Sequence, residues 1–393
     1  MAHEDIRYTL LTLLAVVLVS IIVTKRRRRL LPLPPGPPSL PLIGCFLSIP
    51  KRDAFMAAAA SVTLAIAYGY KVAPQGDSLV EMLEESAKLA IEATLPFASA
   101  VNDIPGLKYL PGWFPGMGFK ARAKHCRTVL HEVLNAPLED VQRSMADGTA
   151  VQSLASELLK ANEASGGGAE GYDAIRDVTG SVYTAGAETT STAVNSAILA
   201  LVLHPDVQWR AQAEIDSVIG RDRLPDFDDR ASMPYVDAVC REVIRWKIVN
   251  PLGLPRRVRS DDVYEGHFIP KGALLFPNTW AIVHDPERYP EPFSFKPERF
   301  LLEDGSLNDD EVQMKFGFGR RICPGRHVAD ASVWIMVSSI LAVFDICHAK
   351  GEHGKEIPID ETCIDGLVSR PLPFECAIVP RDAKAATLIR SLA

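Results

Sequence analysis

No CxxC pair and no cysteine-dense stretch occur in these 393 residues; the seven cysteines stand apart at positions 45, 126, 240, 323, 347, 363 and 376. A disulfide-stapled secreted scaffold is thereby excluded, and a reducing, cytosol-facing compartment is expected. No G-x-G-x-x-G fingerprint follows a strand-like run, so the chain carries no dinucleotide site of its own. Charge of either sign is not in excess. The 42 Lys and Arg against 49 Asp and Glu leave a net charge of −7, which is no footprint for nucleic acid. There is no internal repeat, and the single low-complexity tract is rich in proline.

What is present is an ordinary globular composition, 47% hydrophobic and 23% charged, in a chain long enough for one large domain or two merged lobes. Its N-terminus breaks that balance. An uncharged run from Tyr8 to Thr24 is followed at once by Lys25, Arg26, Arg27, Arg28 and Arg29. As a helix the run would span roughly 26 Å, close to the hydrocarbon core of an endoplasmic reticulum bilayer, roughly 27 Å. Basic residues after the apolar run put the body of the protein on the cytoplasmic side. A cleaved signal peptide would carry its basic residues before the run and a small-residue site after it. The expectation is a single-pass endoplasmic reticulum anchor over 1–29, a stiff proline-rich spacer over 30–52 (LLPLPPGPPSLPLIG at 30–44), and a folded domain over 53–393.

Within that domain the residues from Ala54 to about Ala100 carry helical spacing and predict two helices. IPGLKYLPGWFPGMGFK, residues 104–120, mixes Pro and Gly with Leu, Trp and Phe. It is either a buried loop or a lid that touches lipid and admits apolar substrates. Gly166 to Gly168 predicts a flexible joint before a long helix from about Tyr172 to Leu203. Helices continue past Pro205 to Trp246, and short strands are expected within DDVYEGHFIPKGALLF, 261–276. The fold class is mainly α with a small β-rich part.

The strongest chemical signal is FGFGRRICPGRHVAD, Phe316 to Asp330. Gly317 and Gly319 precede Cys323, Gly325 follows it, and a helix-like run comes after. Iron held by one thiolate needs a close, unobstructed backbone approach; glycines supply the turn, and amides aimed at sulfur tune its donor strength. Arg321 can pair with a carboxylate such as a haem propionate. A lone intracellular cysteine is usually just a small buried residue. The spacing F-x-x-G-x-R-x-C-x-G singles out Cys323 as a metal ligand, with Phe316, Gly317 and Gly325 around the cofactor.

With this signature the chain resembles the cytochrome P450 family, and three further motifs stand in that family's order. The first is AGAETT, Ala185 to Thr190, a polar cluster with a glycine inside a helix that would not favour either. Read from the residues it is a polar kink or a functional site. The resemblance implies that the helix opens there over the iron, with Ala185 and Gly186 against the haem, and makes Glu188 and Thr189 the acid and alcohol that manage protons for dioxygen. The second is EVIR, where Glu242 and Arg245 share one helical face and would ordinarily form a surface pair. In the family the pair is buried and locks onto the arginine of PERF, here Arg299, in a structural network. The third is LPRRV, 254–258, which resembles a strand sending a basic side chain to a propionate; Arg256 is the candidate and Arg257 its competitor. RAQAEID at 210–216 and DPERYPEPFSFKPERF at 285–300 are most similar to fungal microsomal members.

The resemblance implies a mainly helical prism around haem b, an axial Cys323 that favours O–O cleavage, and electrons from a separate NADPH-cytochrome P450 reductase. It implies a monooxygenase that uses dioxygen on an apolar small molecule; secondary metabolites, lipids and xenobiotics are all open. Two departures qualify it. Ile248 stands where the family usually carries Pro. The spacer also passes directly into what resembles a mid-domain helix near Asp53, so about a hundred residues of the catalytic region are expected to be missing. Consistently, none of Trp113, Trp209, Trp246, Trp280 and Trp334 has Arg four residues later, the family's further propionate motif. The competing readings are a truncated, catalytically impaired product, from a splice form or a faulty gene model, and a haem-thiolate isomerase or dehydratase, against which Glu188 and Thr189 argue.

Overall fold

Tyr172 to Leu203 lies within the longest element of the protein, a helix of 35 residues, Ala169–Leu203. At a rise of about 1.5 Å per residue it is roughly 50 Å long and threads two cores. The computed structural model describes residues 53–73, 76–94, 101, 104–364 and 366–392; the expected anchor and spacer lie outside the described residues. In chain order the helices are α1 (Asp53–Tyr68), α2 (Ser78–Thr94), α3 (Gly118–Ala146), α4 (Leu154–Ala164), α5 (Ala169–Leu203), α6 (Pro205–Ile219), α7 (Pro234–Trp246), α8 (Thr279–Val283), α9 (Arg326–Val343) and α10 (Ala383–Leu392). The two helices expected after Ala54 are α1 and α2, and those past Pro205 are α6 and α7.

The first core joins the N-terminal half of α5 to α1–α4 through Leu64, Leu83, Val133, Leu138, Leu159 and Tyr183. The second joins its C-terminal half to α6, α7 and α9 through Leu199, Leu201, Ile215, Val239, Trp334 and Leu341. Small residues let the helices meet. A Cβ on Gly186 of α5 would lie 2.5 Å from Thr63 Cγ2 on α1, and one on Gly180 would lie 2.1 Å from Leu134 Cδ2 on α3. Among the described residues α9 alone is long and apolar enough to cross a membrane, but with Trp334, Val337 and Leu341 at most 1% exposed it is a core helix.

Among the described residues the β part is four two-stranded antiparallel ladders. β1 (Arg256–Arg257) pairs with β4 (Leu274–Leu275), and β2 (Asp262–Tyr264) with β3 (His267–Ile269). Glu265 and Gly266, both at positive φ, close the β2–β3 hairpin, as a two-residue turn of matching twist requires. Farther on, β5 (Phe344–His348) pairs with β8 (Cys376–Pro380), and β6 (Cys363–Ile364) with β7 (Arg370–Pro371).

Three expectations change in detail. The joint at 166–168 is a compact hydrogen-bonded turn: Gly166 has φ +83°, and Gly167 N–H donates to Asn162 O at 2.8 Å, so α5 starts at Ala169 without a slack linker. The loop before α3 is not buried, because Tyr109 and Trp113 are 80% and 82% exposed, with Ile104 and Phe114 exposed beside them. Ile248, where proline was expected, is buried in a third small core with Val283, Phe300 and Val312; its side chain fills space that a proline ring would leave.

Candidate haem-thiolate site

Cys323 sits at the end of a loop whose geometry is set by glycine. After the 3₁₀ turn Gln313–Phe316 the chain passes through Gly317 at φ +81° and Gly319 at φ +59°, conformations that side chains with a Cβ rarely adopt. The loop then folds back on itself: Cys323 N–H donates to Phe316 O at 2.9 Å, and Ile322 N–H to Gly319 O at 3.1 Å. Gly325 is the N-cap of α9, so the thiol lies just ahead of the N-terminus of an 18-residue helix. Cys323 is half-buried. A Cβ at Gly325 would start 3.9 Å from its sulfur, so glycine leaves that flank of the sulfur bare.

Whether these residues suit a haem can be judged from the donor set. Cys323 is a single thiol donor on a glycine-bent loop, and one donor suits a metal that brings its remaining ligands with it. Arg256 of β1 reaches the same loop, donating from Nη2 to Arg321 O at 3.2 Å. Strand alternation sends Arg257 the other way, where its guanidinium lies beside Gly272. Of the two arginines, Arg256 is the one whose hydrogen bond to the cysteine loop is seen. Both Arg256 and Arg321 are exposed, with guanidinium groups available to an anionic ligand.

On α5 the expected opening is not a break, for the helix is continuous from Ala169 to Leu203. Instead Val178, Ser181 and Ala185, at helical spacing, form an exposed strip that ends at half-buried Thr189. The Thr189 hydroxyl donates to Ala185 O at 2.9 Å. Glu188, one step round the helix, is buried and lies 3.9 Å from Arg370 Nη1 on β7. The structure thus separates the two candidate proton carriers onto different faces. Gly186 packs against Thr63, so its missing Cβ is accounted for by the α1–α5 contact, while its neighbour Ala185 is open. α5 packs on both α9, the helix that follows the cysteine loop, and β7, the strand that carries Arg370.

Glu242, Arg245 and Arg299 form the expected lock. Arg245 donates from Nε to Glu242 Oε2 at 2.6 Å and from Nη2 to Oε1 at 2.8 Å. It also donates to the carbonyls of Val283, Pro292 and Ser294. Arg299 Nε reaches Glu242 Oε1 at 3.1 Å. Sequence reasoning missed Arg370, since nothing local marks a short strand remote in sequence as the neighbour of Glu188. It also missed Lys315, whose side chain is only 5% exposed; a lysine immediately before the Gly-, Phe- and Arg-rich signature was the available signal.

The family model described as "Cytochrome P450" matches residues 52–377. Cytochrome P450 monooxygenase 208 of Postia placenta is 43% identical over 335 residues, 84% of this chain and 64% of the relative. Cytochrome P450 monooxygenase claR of Ampulloclitocybe clavipes is 42% identical over 84% of the chain and 62% of its own length. The multifunctional cytochrome P450 monooxygenase af510 of Aspergillus fumigatus is 40% identical, with 85% and 63% covered. The chain therefore spans under two thirds of the length of these curated relatives.

Proposed function

The chain belongs to the cytochrome P450 family, and from that premise we propose that it is a haem-thiolate monooxygenase acting on an apolar organic molecule. The observation that carries the reading is Cys323, a half-buried thiol ahead of a helix N-terminus with glycine on its flank. Bound haem b supplies the oxygen chemistry, in which one atom of dioxygen enters substrate and the other leaves as water at the expense of two electrons from a separate NADPH-dependent reductase. Cys323 would be the residue that holds the iron. Phe316, Gly317 and Gly325 would leave room for the macrocycle, and Arg321 and Arg256 would neutralise its propionates. Ala185 offers a small surface on α5. Thr189, with its hydroxyl already oriented by Ala185 O, and Glu188, held near Arg370, hold and pass protons from two sides of the helix.

The membrane reading rests on two features. One is the apolar run from Tyr8 to Thr24 with its basic flank. The other is the exposed Ile104, Tyr109, Trp113 and Phe114, an apolar patch of the kind that meets lipid. Together they support an endoplasmic reticulum location with the catalytic body facing the cytoplasm.

A second reading, a product impaired in turnover, draws on the exposure of Val178, Ala185 and Phe318, which leaves the haem-facing side accessible to water. One experiment separates the two: a dithionite-reduced carbon-monoxide difference spectrum of the haem-reconstituted chain beside Cys323→Ala. A far-red Soret band lost in the variant supports thiolate ligation and justifies reductase and substrate screens. A band at the ordinary histidine-like position, or no haem uptake, sinks the monooxygenase reading for this chain.

A further inference from the structure

Lys315 stands one residue before Phe316, whose carbonyl accepts the Cys323 N–H at 2.9 Å. Its ammonium is 3.6 Å from Asp330 Oδ1 on α9 and 5.1 Å from the centre of the Phe316 ring, within cation–π range. From Asp330 the charges alternate. Its Oδ2 is 2.7 Å from Arg230 Nη2, and Arg230 Nε is 2.7 Å from Asp237 Oδ2. Asp237 Oδ1 accepts from Arg241 Nε at 3.3 Å, and Arg241 Nη1 donates to Asn308 O at 2.8 Å and Asp310 O at 3.1 Å. The segment after Asp310 leads through Val312 back to Lys315, so the ring closes on the stretch that carries it. Val312 is a buried β-branched residue at φ +52°, a conformation that persists only where its surroundings impose it.

We propose that Lys315 is a positioning residue for Cys323: its ion pair with Asp330 ties the Phe316 peptide, and through it the Cys323 amide, to α9 just past the helix's first turn. The inference rests on the reading of Cys323 as the iron ligand. Three cations and two carboxylates make up the ring, so it holds a surplus positive charge beside the loop that presents the thiolate. Burial lowers the Lys315 pKa and Asp330 pulls it back up. Removing the lysine charge leaves Asp330 still paired with Arg230, so no buried carboxylate is orphaned and the fold is expected to survive.

The test uses the full chain with Lys315→Met and Lys315→Arg. In the haem-free protein, alkylation of Cys323 by iodoacetamide is followed by peptide mass mapping, with half-buried Cys126 and buried Cys240 as internal references. The reduced carbon-monoxide band is then recorded after reconstitution. Expected for Lys315→Met is about tenfold faster alkylation at Cys323 alone, as for a locally loosened loop, together with a band moved away from the thiolate position. Lys315→Arg restores both. Unchanged alkylation and an unchanged band in Lys315→Met overturn the proposal, and so does a parallel rise at Cys240, which would make Lys315 a support of the whole fold. A wild-type chain with no thiolate band, but with Cys323 alkylation still dependent on Lys315, overturns the ligand reading and leaves the positioning role standing.

Discussion

Two charged regions of this protein are built to opposite rules. In the lock between α7 and the PERF turn, Glu242 and Arg245 have no exposed side-chain surface and the Arg245 guanidinium is saturated by carboxylate and carbonyl oxygens. In and beside the cysteine loop Arg320, Arg321 and, on β1, Arg256 are all exposed, and Arg256 donates to a backbone carbonyl of the loop. Sealed charges satisfied by protein serve the fold, whereas the cations on and near the cysteine loop face solvent.

The sharpest way to break that contrast is to leave a sealed charge unpaired. Glu242→Ala strips a carboxylate from Arg245 and Arg299 together, and Arg245→Ala orphans Glu242; each is expected to cost about 3–5 kcal/mol. Against a typical total of roughly 5–15 kcal/mol either variant approaches global unfolding, read as a large fall in the urea midpoint with unchanged slope. A loss below about 1 kcal/mol would mean that the lock behaves like an exposed pair.

The next test concerns how α1 meets α5. Gly186→Ala places a methyl 2.5 Å from Thr63 Cγ2 and is expected to cost about 1–3 kcal/mol by overpacking. Thr63→Ser removes that methyl, so the double variant should recover much of the loss, a coupling that adjacent sites show and distant ones do not. Additive losses would exclude the packing explanation and return Gly186 to the haem face as its main constraint.

The same residues mark how far the sequence could be read. Helix order and the short strands were legible because apolar periodicity and proline breaks are local signals, whereas the i, i+3 spacing of Glu242 and Arg245 pointed to a surface pair and only the family resemblance implied the buried lock. The cysteine loop was legible because glycines at fixed offsets answer a steric need. Burial and facing were not. That α1 packs against Gly186, and that Glu188 is buried while Thr189 is only half-buried, depend on which elements meet α5. Arg370 and the Lys315 ring depend on which distant elements come together, which no local spacing encodes.

Smaller effects follow in the open region. Arg256→Ala is expected to weaken haem binding about tenfold, near 1.4 kcal/mol, while Arg257→Ala leaves it unchanged, because β1 sends the two side chains to opposite faces. Equal losses would show that both arginines reach the cofactor and that the strand is displaced when haem is present.

The smallest effect on stability carries a different message. Trp113 is 82% exposed, so Trp113→Glu should alter folding stability by no more than about 0.5 kcal/mol, as surface changes do. If the apolar tip around Trp113 and Phe114 meets lipid, that change should nonetheless speed detachment of the chain from vesicles of neutral phospholipid, since a carboxylate placed in the interface must be dehydrated or the tip withdrawn. The comparison is internal to one variant: stability unchanged and detachment faster assigns the exposed tip to the membrane. If both stay unchanged, the patch is simply apolar surface of the kind every folded protein carries.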